Sequence, residues 1–361
     1  MWIFLLLTAG LFMGWSLGTN DAANAFGTAV ATRVVKFRTA IIIIAVMVML
    51  GAVLLGHNNI NKLSSIASNN EVVASAEEVA SAIEEGTLET LRLKSALKAF
   101  IIFACAAITV FVMSYLKFPV SANQSITGAV IGWGLCYADY SNPAVRGGNL
   151  TEILEFVSTW LINPLGAAII SFVMVFVVKK FIEKHLTSMN QYDVIVKVGY
   201  LCAGAFSAFS IGQNSSASVT AFYYDATGLG ANLIYGNEGF FTGARIAAIL
   251  GGLAIAIGVL TFSKRVMMTV GGEIAEISQV DGFVVIIASA LTVVLMGNWM
   301  GIPVSTSQSV VGAVIGAGLV NGINKVNFGV FKRIAIAWVS SPTAAGLLTY
   351  LVAIATKSYF A

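Results

Sequence analysis

Hydrophobic positions along this chain gather into blocks close to the roughly 20 residues that an α-helix needs to cross a bilayer. They cover about 1–17, 39–56, 99–116, 161–178, 242–262, 282–298 and 334–355, and a further block near 210–218 is interrupted by polar residues. The pattern predicts an all-α, polytopic membrane protein. The first block lacks a small-residue cleavage pattern and runs straight into a polar motif, so it reads as a retained span and not as a signal peptide.

Inside this apolar background one polar sentence is written twice, as Pro119-Val-Ser-Ala-Asn-Gln-Ser125 and as Pro303-Val-Ser-Thr-Ser-Gln-Ser309. Hydroxyls and amides at membrane depth are costly unless they bind something or satisfy each other. A duplicated cluster of them points to one site built between two halves, as expected of a secondary transporter. Two further segments recur in the same order: Gly14–Asn24 is echoed weakly by Ala208–Ser218, and Thr159–Pro164 by Ala337–Pro342. A tandem duplication with repeats at about 1–190 and 191–361 accounts for this, the polar stretch Lys179–Lys197 joining them.

Charge gives the orientation. Arg33, Lys36 and Arg38 follow the first block, and an acidic stretch from His57 to Leu97 follows the second. By the positive-inside rule the basic side is cytoplasmic and the acidic loop, about 58–98, is external. If each Pro-Val-Ser segment adds a crossing, the first half crosses five times, which places Lys179, Lys180 and Lys184 inside and both termini outside. The same count puts Lys264, Arg265, Lys325, Lys332 and Arg333 inside; a closed re-entrant hairpin with no other crossing would make the count even. The loop Asn232–Phe241 has no Lys or Arg where the matching loop of the first half is basic, the contrast that two inverted halves require. Within the acidic loop, Ala74–Leu97 has the composition of a surface helix on a solvated cap.

Composition agrees and excludes other classes. The chain of 361 residues is 58% hydrophobic and 10% charged, with a mean hydropathy of +0.87, which rules out an ordinary soluble domain. A net charge of +3 is too small to imply a nucleic-acid partner. Cys105, Cys136 and Cys202 show no metal-ligand spacing and read as buried, unpaired thiols. An enzyme would need a nucleophile with a base, or a metal set. The histidines, His57 and His185, lie at loop boundaries, and neither a Gly-x-Ser-x-Gly nor a His-Glu-x-x-His run is present. A channel would build its filter as rings from several subunits, whereas the duplication supplies a two-fold site in one chain.

Asp21 is an acid in an apolar region with no basic neighbour in sequence. A charge at the bilayer centre costs about 2.5 to 3.5 kcal/mol on insertion scales, so it should face a cavity or bind a cation. Gly18, Asn20, Asn24, Gly27 and Thr28 around it mix flexible backbone with amide and hydroxyl oxygens. Such a stretch can interrupt a helix and offer oxygens to a hard cation; the plainer reading has Asp21 cap a helix beginning near Ala22. In the second copy Asn214 matches Asn20, while Ser215 and Ser218 replace Asp21 and Asn24, so only one half supplies a carboxylate.

The Pro-Val-Ser segments do a different job. Proline disfavours helix in the residue before it, and Ser121 or Ser305 two positions on can cap a helix starting behind it. Ser121, Asn123, Gln124 and Ser125, with Ser305, Thr306, Ser307, Gln308 and Ser309, add hydroxyls and amides to the free N–H groups of two helix starts. Two such starts meeting near midplane make an anion site without arginine. The glycines behind them, including Gly128, Gly132, Gly312 and Gly316, permit close helix approach. Trp160 with Pro164 and Trp338 with Pro342 read as packing and kink positions.

Gly18-Thr-Asn-Asp-Ala-Ala-Asn-Ala-Phe-Gly-Thr28 resembles the Gly-Ala-Asn-Asp-Val-Ala-Asn-Ala signature of the inorganic phosphate transporter (PiT) family. The two Pro-Val-Ser segments resemble that family's Pro-Val-Ser-Thr-Thr-His motif, and the likeness covers essentially the whole chain. It implies two inverted-topology repeats with interrupted helices and helical hairpins, found as a homodimer in the cell membrane. It also implies transport of inorganic phosphate with sodium, or in some members with protons. Carried across, the sodium candidates are Asp21, Asn20, Asn24 and Thr28, with Asn214, Ser215 and Ser218 from the second copy. The substrate candidates are the hydroxyls and amides of the Pro-Val-Ser runs.

Three departures bear on this. Ser215 stands where the family carries Asp, Ser218 where it carries Asn, and the motif His is Gln124 and Gln308. Losing the second Asp leaves sulfate as an alternative substrate. Losing the His removes the side chain whose ordinary pKa lies near neutral pH, which favours sodium coupling over proton coupling.

Overall fold

The computed structural model describes residues 2–59, 76–116, 118, 120–137, 150–181, 188–226, 243–270, 277–300 and 304–360. Pro119, Pro303, the loop Asn232–Phe241, Glu71 of the acidic loop, and Lys184 and His185 of the linker lie outside them. Every regular element among the described residues is helical. The order is α1 (Trp2–Ala31), α2 (Phe37–Leu55), α3 (Ala76–Glu84), α4 (Leu88–Tyr115), α5 (Ala122–Tyr137) and α6 (Leu150–Phe181). Then come α7 (Met189–Ala226), α8 (Gly243–Phe262), α9 (Lys264–Val270), α10 (Gln279–Met300), α11 (Thr306–Asn321) and α12 (Phe328–Phe360). Seven of these helices, α2, α4, α6, α7, α8, α10 and α12, are long and apolar enough to cross a bilayer. Their outward faces carry large apolar side chains such as Ile42, Leu161, Ile169 and Leu351, as lipid requires.

Four expectations change. The segment Gly18–Thr28 does not interrupt a helix: α1 runs unbroken through it, and α7 runs unbroken through 208–218. Asn20, Asp21, Asn24 and Asn214 all bond to other elements, so they do not compete for their own backbone. Asp21, twenty residues into α1, is therefore not a cap. The single surface helix expected over Ala74–Leu97 is two helices, because Gly86 adopts φ +72° and ends α3 with a left-handed residue. Cys202 is exposed on α7; Cys105 and Cys136 are buried.

Backbone breaks fall instead at the two Pro-Val-Ser segments. Ser121 Oγ accepts from Gln124 N at 3.3 Å and Ser305 Oγ accepts from Gln308 N at 3.2 Å, each capping the short helix behind it. The result is two helical hairpins, α4–α5 and α10–α11. The open end of the second is closed by Asp281 at the start of α10 and Asn321 at the end of α11, 2.9 Å apart. Lys179 of α6 completes this knot, 3.4 Å from the Asp281 carboxylate and hydrogen-bonded to Asn321.

Glycine decides which helices pair. The Gly128 and Gly132 positions of α5 sit on the carbonyls of Pro342 and Gly346 in α12; Gly312 and Gly316 of α11 sit on those of Pro164 and Ala168 in α6. Any Cβ at these positions would overlap backbone. Each Pro-Val-Ser helix thus lies on the last helix of the other half, in parallel register. The same exchange occurs between Gly18 of α1 and Ile255 of α8, and between Gly212 of α7 and Val48 of α2.

Because α12 begins just past the end of α11, it serves as a ruler. Lys357 near its far end donates to the Cys136 carbonyl at the end of α5, at 3.3 Å. From Phe328 to Lys357 is roughly 44 Å at about 1.5 Å per residue. The two short helices start together and leave in opposite directions.

Candidate functional site

Where α5 and α11 start, their capping loops cross. Asn123 donates to the Val304 carbonyl at 2.9 Å, and Ser307 donates to the Val120 carbonyl at 3.1 Å. Asn214 of α7 clamps the same Val304 with both ends of its amide, donating to the carbonyl at 2.8 Å and accepting from the N–H at 2.9 Å. This bidentate grip fixes the second loop against α7, so Asn214 holds backbone.

Beside the crossing stands Asp21, 4% exposed. Its Oδ2 accepts from Thr306 Oγ1 at 2.8 Å, and its Oδ1 accepts from Asn24 Nδ2 at 3.2 Å. The Asn24 amide nitrogen also lies 3.2 Å from the hydroxyl oxygens of Thr306 and Ser307. A carboxylate, an amide and two hydroxyls from both halves thus share one buried knot. No lysine or arginine pairs with the acid among the described residues. An isolated buried carboxylate is costly, and two hydrogen bonds offset only part of that. Oxygens gathered around an unneutralised acid form the donor set that suits a hard cation.

The remaining candidates divide. Ser125 donates to the Ser121 carbonyl at 3.2 Å, and Ser309 donates to Asn163 Oδ1 at 2.8 Å. Both Gln124 amide atoms and Gln308 Oε1 are buried without a hydrogen-bond partner among the described residues, as is Ser218 Oγ, one turn beyond Asn214 on α7. Ser215 accepts from Asn214 at 3.3 Å. Asn20 donates to Ser114 Oγ of α4 at 2.8 Å and so ties the first hairpin to α1. Thr28 lies two turns from Asp21, beside the Tyr200 hydroxyl, and is not part of the knot.

Two residues here were not singled out from sequence. Asn163 of α6 donates to the Ser305 carbonyl at 2.7 Å and accepts from Ser309, lacing α11 to α6. Ser114 anchors Asn20. For Asn163 a signal existed: an amide inside an apolar block, directly before a proline. Its counterpart in the second half is Ser341, whose buried hydroxyl finds no partner among the described residues. The two short helices are therefore laced unequally.

Comparison with known proteins agrees with this architecture. A profile of the phosphate transporter family matches residues 17–349. The chain is 27% identical to a protein of Pyrococcus abyssi provisionally named a phosphate permease, covering 97% of both chains. It is 25% identical to one of the same provisional name from Methanocaldococcus jannaschii, over 97% of this chain and 96% of that one. Among solved structures, one titled the sodium-dependent phosphate transporter superposes with a TM-score of 0.75 over 99% of this chain and 100% of its own, at 24% identity, a likeness of fold. With its apolar helices and its buried polar centre, this multi-pass membrane protein belongs to the phosphate transporter family.

Proposed function

We propose that the chain imports inorganic phosphate together with sodium by alternating access, with no covalent chemistry. The observation that carries this is the bond between Asp21 of the first half and Thr306 of the second, where two oppositely directed helices begin. Sodium takes Asp21, the Asn24 oxygen and the Thr306 hydroxyl. Ser218 is one turn from Asn214, while Asn20, Ser215 and Asn214 position the loops and hairpins around it.

The anion takes the free N–H groups and side chains at the starts of α5 and α11: Ser121, Gln124 and Ser125 on one, Ser305, Ser307, Gln308 and Ser309 on the other. Sodium charge offsets anion charge, so neither enters the low-dielectric centre alone. Phosphate is favoured over sulfate because it carries a proton at neutral pH and needs an acceptor. Both Asp21 oxygens are engaged, whereas the Gln124 and Gln308 oxygens, buried and without a partner among the described residues, can accept it. The halves 1–190 and 191–361 act as inverted repeats. Both termini are external, the membrane is the cell membrane, and two copies associate. The reciprocal pairing of α5 with α12 and α11 with α6 supports the repeat.

The test is uptake of radiolabelled phosphate into proteoliposomes with and without an inward sodium gradient, in competition with sulfate. The expected result is gradient-dependent uptake that excess sulfate leaves intact. Uptake that follows a pH gradient and ignores sodium overturns the coupling, and equal competition by sulfate overturns the substrate.

A further inference from the structure

The face on which α1 ends carries a second anion-attracting feature, remote from the buried knot. Arg33, Lys36 and Arg38 lie in the turn and first residues that lead into α2, and all three are exposed. The fold brings a second segment of chain to them. Lys264 at the start of α9 places its ammonium 5.7 Å from the centre of the Phe37 ring, between Lys36 and Arg38, and Arg265 follows it. Five cations from stretches more than two hundred positions apart thus share one surface.

Neither stretch carries an acid of its own. The chain has no Asp or Glu between Asp21 and Glu71, and none between Glu238 and Glu273. The cations adjoin exposed apolar side chains at the lipid boundary. The Arg265 guanidinium stands 5.8 Å from the Tyr115 ring centre, Tyr115 is itself exposed, and Phe118 and Met268 are exposed nearby in sequence. Cations that meet aromatic rings at such a boundary match the two parts of a phospholipid, a charged head group and its acyl chains.

We propose that this surface is a binding site for an anionic phospholipid, its phosphodiester held by Lys36, Arg38 and Lys264 and its acyl chains beside Tyr115. A free phosphate ion would use the cations but gain nothing from the exposed rings and Met268. The site stands independently of the transport reading, since it requires only that the chain lie in a bilayer.

The purified full-length protein in detergent is titrated with phosphatidylglycerol and with phosphatidylcholine, and bound lipid is counted by native mass spectrometry. The expected result is preferential retention of phosphatidylglycerol. The double variant Lys36→Gln/Lys264→Gln should lower that affinity about 25-fold, about fivefold per cation. Lys332→Gln/Arg333→Gln removes equal charge from exposed positions on α12 and should leave it within about twofold. Equal binding of the two lipids overturns the proposal. So does an equal loss in both double variants, which would mean diffuse charge, or displacement of the lipid by millimolar inorganic phosphate, which would mean a free-anion site. A melting temperature for the Lys36/Lys264 variant that matches wild type shows that any loss is local.

Discussion

Thr306 hydrogen-bonds Asp21 at 2.8 Å across 285 positions of sequence, joining the acidic signature of the first half to the capped helix start of the second. Charge and helix start are thereby held at one point, where a cation and an anion can neutralise each other. Replacing Asp21 by Asn keeps the shape and removes the charge. Sodium-dependent phosphate uptake by Asp21→Asn proteoliposomes should need at least about tenfold more sodium for half-maximal rate, one charged contact being worth about 1.5 to 3 kcal/mol. Unchanged sodium dependence removes Asp21 from the cation site.

Thr306 separates hydroxyl from shape. Thr306→Ser keeps the donor to Asp21 and should transport within about threefold of wild type. Thr306→Val leaves a buried carboxylate oxygen unpaired and should lower uptake about ten- to a hundredfold. Equal behaviour of the two variants in the same assay would show that the hydroxyl is idle.

Asn163 laces α11 to α6 through two hydrogen bonds, whereas its counterpart Ser341 on α12 makes none among the described residues. Asn163→Ala should destabilise the protein by about 2 kcal/mol, seen as a lower melting temperature in detergent. Ser341→Ala, removing a hydroxyl without a described partner, should cost less than about 0.5 kcal/mol. A larger loss in the serine variant reverses the assigned asymmetry.

Asp281 is fully buried while its partner Lys179 is 29% exposed. Lys179→Met strips the ammonium from a buried acid that keeps, among the described residues, Asn321 and the Ser278 N–H, and should cost about 3 kcal/mol. Lys179→Met/Asp281→Leu should recover much of that. Thermal melts of the two variants test the order.

His57, past the end of α2, has its pKa lowered below the ordinary value, first by burial and then by the charge of Arg245. Its unfolded form therefore binds a proton more readily than its folded form. Stability should be unaffected well above pH 6.5 and should fall as pH drops through that value toward the folded pKa. The melting temperature of His57→Gln should drop less than that of wild type between pH 7.5 and pH 5.

Apolar blocks made the helices legible in the sequence, and the twin Pro-Val-Ser runs made the meeting of two halves legible. Polarity inside α1 was misleading: Gly18 and Asn20 were expected to break the helix, but they serve other helices, as a contact surface for Ile255 and a donor to Ser114. Local composition cannot distinguish a residue that abandons its helix from one that reaches out of it. For the same reason the sequence does not reveal that Asn214, a cation candidate, grips the Val304 backbone ninety positions away. Thr28 followed the signature by proximity in sequence, yet two helical turns carry it to Tyr200.

The exchange of short helices between halves has a consequence for assembly. A nascent first half emerges with the glycine face of α5 bare and Pro164 of α6 uncovered until α11 and α12 are made. The polypeptide behaves as a tethered pair of mutually dependent subunits, so a cut in the linker between α6 and α7 should be tolerated. Synthesis of either fragment alone should yield material for the quality-control proteases, and co-synthesis of both should restore a single complex.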